Sequence, residues 1–146
     1  MTGGWLLDTN MLSAVGPSKR PLSAETAAWF RARTESLYLS TITAAEIEAG
    51  IAKLRRMGSA GRADNLREWY DRVVGNYGER MLSFDLAAAK IAGSLGDAAQ
   101  AAGRHPGFPD VAIAAIARSH RLTVLTVNLR HFRPLGVEAL NPLATN

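Results

Sequence analysis

Trp5-Leu6-Leu7-Asp8-Thr9-Asn10 passes from three apolar residues straight to an acid, a hydroxyl and an amide. A short run apolar at every position reads as a strand buried on both faces, the kind found in the middle of a parallel sheet. Asp-Thr-Asn is poor strand material and good turn and helix-start material, so Asp8 falls where the strand stops. In open parallel sheets ligands and chemistry gather at that carboxyl end of the strands. A carboxylate there is a first sign of a site.

Beyond it, Asn10 to Ala14 reads as a short helical turn ended by Gly16-Pro17, and Pro21-Leu22-Ser23 opens a helix through about Arg33. Leu37 to Ser40 is a second short strand. Thr43 starts a helix with Ile47, Ile51 and Leu54 on one stripe. Met57 to Gly61 breaks it, and a further helix runs to about Val74, closed by Gly75 to Gly78. Met81 to Phe84 reads as a third strand, after which Asp85 caps an alanine-rich helix ending near Gly103. Residues 104–108 form a loop, and Pro109 sits well at the start of a helix carrying Val111, Ile113, Ala114, Ile116 and Ala117. Leu122 to Thr126 is a fourth strand, the clearest by β-propensity. A turn through Phe132 leads to an edge strand over Val137 to Leu140.

Strands alternating with helices imply a single α/β domain over residues 1–146, with a mostly parallel sheet of four to five strands. In that topology every strand-to-helix junction lies on one edge of the sheet. Asp8, Thr43 to Glu46, Asp85, Asp110 and Thr126 to Asn128 all sit at such junctions, so they are expected to face one cleft.

Composition narrows the partners. Hydrophobic content of 47% with 21% charged residues excludes a disordered chain. No window holds the roughly 18 uninterrupted apolar residues of a membrane span. Met1-Thr2-Gly3-Gly4 lacks the basic start of a secretory signal, and the absence of cysteine suits a reducing cytoplasm. The net charge is +4, and 14 of the 17 basic residues are arginine. Guanidinium forks suit phosphates, so a nucleic-acid partner is permitted, although arginine richness can equally reflect genome composition.

Each acid taken singly has a structural explanation. Asp8 can cap the first helical turn, and Asp85 is the plainest N-cap of all. Thr43-Ala44-Ala45-Glu46 matches a capping box, and Asp110 complements the dipole of its helix. Taken together they repel one another on one rim, which is tolerable when a divalent cation neutralises them. Hard oxygen ligands without cysteine or paired histidine favour magnesium or manganese over zinc. Such ions beside a basic surface suit phosphodiester hydrolysis by an activated water.

The ordered set Leu7-Asp8-Thr9-Asn10-Met11-Leu12-Ser13, Ser40-Thr41-Ile42-Thr43-Ala44-Ala45-Glu46 with Gly50, Phe108-Pro109-Asp110, and Thr126-Val127-Asn128 with Phe132 resembles the PIN-domain ribonucleases. The likeness is closest to VapC-type toxins of bacterial toxin–antitoxin pairs, the FitB-like branch included, and it spans nearly the whole chain. The resemblance implies a three-layer α/β/α sandwich, a homodimer, an RNA substrate, a small antitoxin partner and Mg2+ or Mn2+ held by three or four acids. Carried over, Asp8 and Asp110 are metal ligands, and Glu46 is the third acid, binding metal or orienting its water. Asn10 and Asn128 support the site through hydrogen bonds, Thr126 lies beside it, and Thr43 opens the helix that bears Glu46.

Where many members carry a fourth acid, this chain has Asn128 and His131. An amide offers an oxygen but no charge, so a second metal is expected to bind more weakly. His131 reads as a surface residue in preference to a phosphate contact or stray ligand, and His105 and His120 carry no assigned role. Leu66, Trp69, Tyr70 and Val73 read as core, with an antitoxin groove or dimer face as the alternative. Arg55, Arg56, Arg62, Arg67 and Arg72 read as a solvated face, with contacts to RNA phosphates as the alternative.

Two rival functions stand beside the nuclease. A non-catalytic RNA-binding or regulatory module draws support from Asn128 and meets resistance from the intact Asp8, Glu46 and Asp110. An aspartyl-phosphate phosphatase needs a second acid two residues after the first, where this chain has Asn10.

Overall fold

The computed structural model describes residues 3–16 and 20–144. Met1, Thr2 and Pro17 of the readings above lie outside the described residues.

Five strands form one sheet: β1 (Trp5–Leu7), β2 (Leu37–Ser40), β3 (Met81–Leu82), β4 (Thr123–Leu125) and β5 (Ala139–Leu140). Their order is β3-β2-β1-β4-β5, and every pairing is parallel. The chain builds outward from β1 through β2 to β3, then returns to the other side of β1 for β4 and β5. The order therefore reverses between β1 and β4, which opens a crevice at their carboxyl ends. Asp8 follows β1 directly, as its sequence requires.

Side-chain alternation along the strands divides the core. Leu6 and Val124 face one side, where they pack with α5 (Leu86–Ala101) and α6 (Phe108–His120). Leu7, Leu39 and Leu125 face the other, against α1 (Thr9–Ala14), α3 (Thr41–Arg56) and α4 (Ala60–Tyr77). The result is the expected three-layer α/β/α sandwich. Residues Val111 to Ala117 of α6 are buried on every side, which makes this helix a rigid support for whatever its first turn carries. The remaining helices are α2 (Ala24–Ala32), capped by Ser23, and the short α7 (Leu129–Phe132).

Gly4 is a glycine the fold cannot replace cheaply. Its φ is 155°, and a Cβ there would stand 2.5 Å from the Ser36 carbonyl oxygen. The missing side chain lets the lead-in to β1 approach the lead-in to β2.

Several expected boundaries move. The third helix starts at Thr41, two residues before Thr43, because Ser40 supplies the cap by accepting from the Thr43 N–H at 3.2 Å. Thr43 is therefore inside the helix and fully buried, and the Thr43–Glu46 capping box does not form. Helix α4 continues through Gly75 to Tyr77 and stops only at Gly78, whose φ of 52° leaves the helical region. The third strand is Met81–Leu82; Ser83 and Phe84 lie in the following loop, where the Phe84 N–H bonds to the Thr41 hydroxyl. The last strand is also short, Ala139–Leu140.

The stripe of Leu66, Trp69, Tyr70 and Val73 packs into the second core, with Tyr70 fully buried. Among the arginines read as a solvated face, Arg55 pairs with Asp64 at 2.9 Å, and Arg67 bridges Glu48 and Asp71.

Leu7 is 1% exposed and central, so Leu7→Ala should cost about 2–5 kcal/mol in urea denaturation, through lost burial plus the cavity left behind. Met57→Ala, at a residue 64% exposed, should stay within about 0.5 kcal/mol of wild type.

Candidate active site

Asp8 is 3% exposed, and both of its oxygens are engaged. Oδ1 accepts from the Met11 N–H at 2.7 Å, capping α1, and Oδ2 accepts from the Thr126 hydroxyl at 2.6 Å. Thr126 also receives the Asn128 N–H at 2.9 Å, and the Asp8 N–H reaches the Leu125 carbonyl at 3.0 Å. The ends of β1 and β4 are thus stitched together through backbone and side chain at the crevice. The capping explanation for Asp8 is correct and incomplete, because capping uses one oxygen only.

Glu46 reaches the site differently from the way its sequence suggests. With α3 starting at Thr41, its carboxylate is free of any capping duty and accepts from the Thr9 hydroxyl. The Thr9 and Thr43 hydroxyls meet at 2.9 Å. Thr9 has one proton and gives it to Glu46, so Thr43 donates to Thr9. A relay of two threonines therefore orients the acid.

Asp110 stands in the first turn of α6, after the cap residue Gly107 and beside Pro109. Its Oδ2 lies 3.3 Å from Nδ1 of His131. The sequence placed His131 at the surface, and it is exposed there, with Nδ1 turned towards the acid. Asp85, by contrast, is committed to capping α5 through the Ala88 N–H at 2.9 Å.

The three acids feel one another. Burial pushes the Asp8 carboxyl above its ordinary range, opposed by the Thr126 and Met11 hydrogen bonds and reinforced by the charges of Asp110 and Glu46. Burial also raises Asp110, with His131 pulling down and Glu46 pushing up.

The donors are all hard carboxylate oxygens, crowded enough to repel, which is the character a divalent cation selects. Among the described residues, however, no three acid or imidazole groups stand as a ready-made cation cage. Competing contacts account for this: Thr9 holds Glu46, and His131 draws Asp110. Asn10 is exposed and Asn128 half-buried, and among the described residues neither side chain hydrogen-bonds to these acids.

Sequence reasoning missed the neighbouring basic cleft. A cavity of about 280 Å³ beside Asp110 is walled by Arg104, His105, Arg130 and His131. The adjacent pairs Arg104-His105 and Arg130-His131 were the available signal. Both flank junctions on the same sheet edge, so the fold brings them together.

The PIN domain model matches residues 5–136, and the chain belongs to the PIN-domain family. Plasmid stability protein StbB of Pseudomonas syringae pv. tomato is 40% identical over 139 residues, covering 94% of this chain and 96% of its own. Toxin FitB of Neisseria gonorrhoeae is 33% identical over 94% of this chain and 96% of its own. The crystal structure of FitAcB from that organism has a TM-score of 0.81 at 31% identity, covering 97% of this chain and 99% of the other. VapC ribonuclease Y4jK of Sinorhizobium fredii is 32% identical over 94% of this chain and 96% of its own.

The raised carboxyl of Asp8 has a consequence for stability. A folded-state value above the unfolded one means that the folded protein holds the proton more tightly. This contribution is complete below the unfolded carboxylate value and is lost as pH rises through the folded one. An asparagine substituted for Asp8 would still cap α1 through its Oδ1, while its Nδ2 would donate to the Thr126 hydroxyl instead of accepting from it. In chelator, Asp8→Asn should therefore lose less stability than wild type between about pH 4 and pH 7, read by denaturant titration at each pH.

Proposed function

We propose that this protein is a metal-dependent endoribonuclease and the toxin of a toxin–antitoxin pair. In this reading it hydrolyses RNA phosphodiesters in the cytoplasm, as a homodimer restrained by a small cognate antitoxin. The observation that carries the proposal is the placement of the three acids, with Asp8 tied to Thr126 between β1 and β4, Glu46 held by Thr9 beside it, and Asp110 in the first turn of α6 next to a cleft lined by cationic side chains. The relatives described above, a toxin and a VapC ribonuclease among them, support it. Among the described residues no helix is long and apolar enough to cross a membrane, which is consistent with the cytoplasmic assignment.

Asp8 and Asp110 are the proposed ligands of Mg2+ or Mn2+, and Glu46 binds the same ion or orients its water. When bound, such an ion activates water for attack on phosphorus and offsets the charge on the leaving oxygen. Asp8 is fixed for this task by Thr126 and the Met11 N–H, so it cannot rotate away from the crevice. The Thr43–Thr9 relay holds Glu46 at the rim. Thr126 and Thr43 are thus positioning residues, while Asn10 and Asn128 stand at the site without charge. His131 competes for Asp110 in the protein alone, and its release from that contact would accompany ion binding.

Purified protein should cut RNA with magnesium or manganese and fail to cut it in excess chelator. Undiminished cleavage in chelator would overturn the metal requirement, and RNA binding without cleavage would favour the non-catalytic module. Glu46→Gln is the sharper probe, because no capping role remains to confuse it. Its metal-free melting temperature should hold or rise, because a repelling charge is removed, and single-turnover cleavage should fall at least about tenfold, equivalent to about 1.4 kcal/mol in the transition state. Expression without the antitoxin should arrest growth, and co-expression of the small neighbouring protein should relieve it. Harmless expression of an active, soluble nuclease would remove the toxin role and leave the enzymatic one.

A further inference from the structure

Phe108 is the anomaly of the α6 N-terminus. It is 61% exposed, although the helix it opens is otherwise the most buried in the protein. Its ring is not loose: Phe84 packs perpendicular to it at 5.7 Å between centroids, and Phe84 in turn packs on the core. A perpendicular pair of this kind steadies a ring that remains largely open to solvent. Phe108 lines a groove of about 580 Å³ together with Gly93 and Gly96 of α5 and the polar Asp97 and Gln100. A Cβ at Gly93 would meet nothing within 4 Å, and one at Gly96 would only touch Val111, so the glycines leave open space.

The groove is continuous with the basic cleft beside Asp110, for His105 and Pro106 line both. Phe108 and Asp110 are two residues apart in one helical turn. One continuous surface therefore offers carboxylates, then cations at Arg104 and Arg130, then an exposed aromatic face with amide and carboxylate groups around it. Resting on the ribonuclease reading above, we propose that Phe108 is a nucleobase-stacking platform. It takes the base of an RNA nucleotide next to the cleaved phosphate, whose own phosphate lies in the Arg104–Arg130 cleft. Single-stranded nucleic acid matches both halves of the surface: a phosphate for the cations and a flat π-face for the ring. Gln100 and Asp97 can meet the base edge, which makes the groove a source of sequence preference. A protein segment would need an acidic group for the cleft and an apolar side chain for the groove, and it is the competing occupant in the test below.

The test is the affinity of a fluorescent pentaribonucleotide, measured by anisotropy in excess chelator so that cleavage does not compete. A pentamer with abasic riboses serves as the comparison. Wild type should prefer the base-containing oligonucleotide by about tenfold or more, the range of stacking on an aromatic side chain. Phe108→Ala should bind both oligonucleotides with the same weak affinity, and Phe108→Trp should restore the preference. Being exposed, the position tolerates either change without unfolding, and Gly93→Leu, which fills the groove from the other wall, should weaken binding in the same way. Equal affinity of wild type for the two oligonucleotides, or an unchanged preference in Phe108→Ala, overturns the platform while metal-dependent cleavage still stands. Loss of a protein partner from Phe108→Ala with RNA affinity intact also overturns it, assigning the groove to that partner. A wild-type protein that neither binds nor cuts RNA overturns this inference and the nuclease reading together.

Discussion

The Thr126 hydroxyl and the Asp8 carboxylate, 2.6 Å apart and sealed from water, join the two strands between which the sheet reverses its order. A carboxylate is costly to bury, and this one is bearable because a hydroxyl and a backbone N–H both serve it. The same two bonds fix its direction. Everything else at the site is arranged around an acid that cannot move: α6 brings Asp110 from one layer and α3 brings Glu46 from the other. The sheet reversal is what gives the two layers a shared edge, and the Asp8–Thr126 pair closes the seam between them.

The charge arrangement follows from that geometry. Acids crowd at the crevice, and cationic side chains of the 104–105 and 130–131 segments stand beside them. Each acid has an internal partner that moderates the repulsion: Met11 and Thr126 for Asp8, Thr9 for Glu46, His131 for Asp110. The protein alone is therefore stable with its carboxylates near one another but not gathered around a common point. In the proposed reading, a bound cation would offset the repulsion that remains among these acids.

Much of this is legible in the chain. Leu6-Leu7-Asp8 announces a buried strand ending in an acid, and the alternation of strands with helices dictates which edge the acids share. The stripe of Leu66, Trp69, Tyr70 and Val73 reads as core from spacing alone, and it is core. The capping box at Thr43 misleads because local spacing cannot tell which of several hydroxyls wins the cap. Ser40 wins, since it ends β2 and already faces the helix start, and Glu46 is left for the crevice. The contact of His131 with Asp110, and the cleft that His131 shares with His105, are not legible in the sequence for a related reason. Neither has a partner near it in sequence, and both acquire neighbours only when α6 and α7 meet the same edge. The exposed face of Phe108 is equally invisible to periodicity, which reports a hydrophobic residue and not the direction it looks.

The central claim is that Asp8, Asp110 and Glu46 form one cation site. Anomalous diffraction at the manganese edge from crystals soaked in manganese tests it most directly. The account predicts a strong peak between Asp8 and Asp110 with Glu46 on its rim, and His131 turned away from Asp110. A peak elsewhere on the molecule, or none at this crevice while His131 keeps its contact with Asp110, would contradict it.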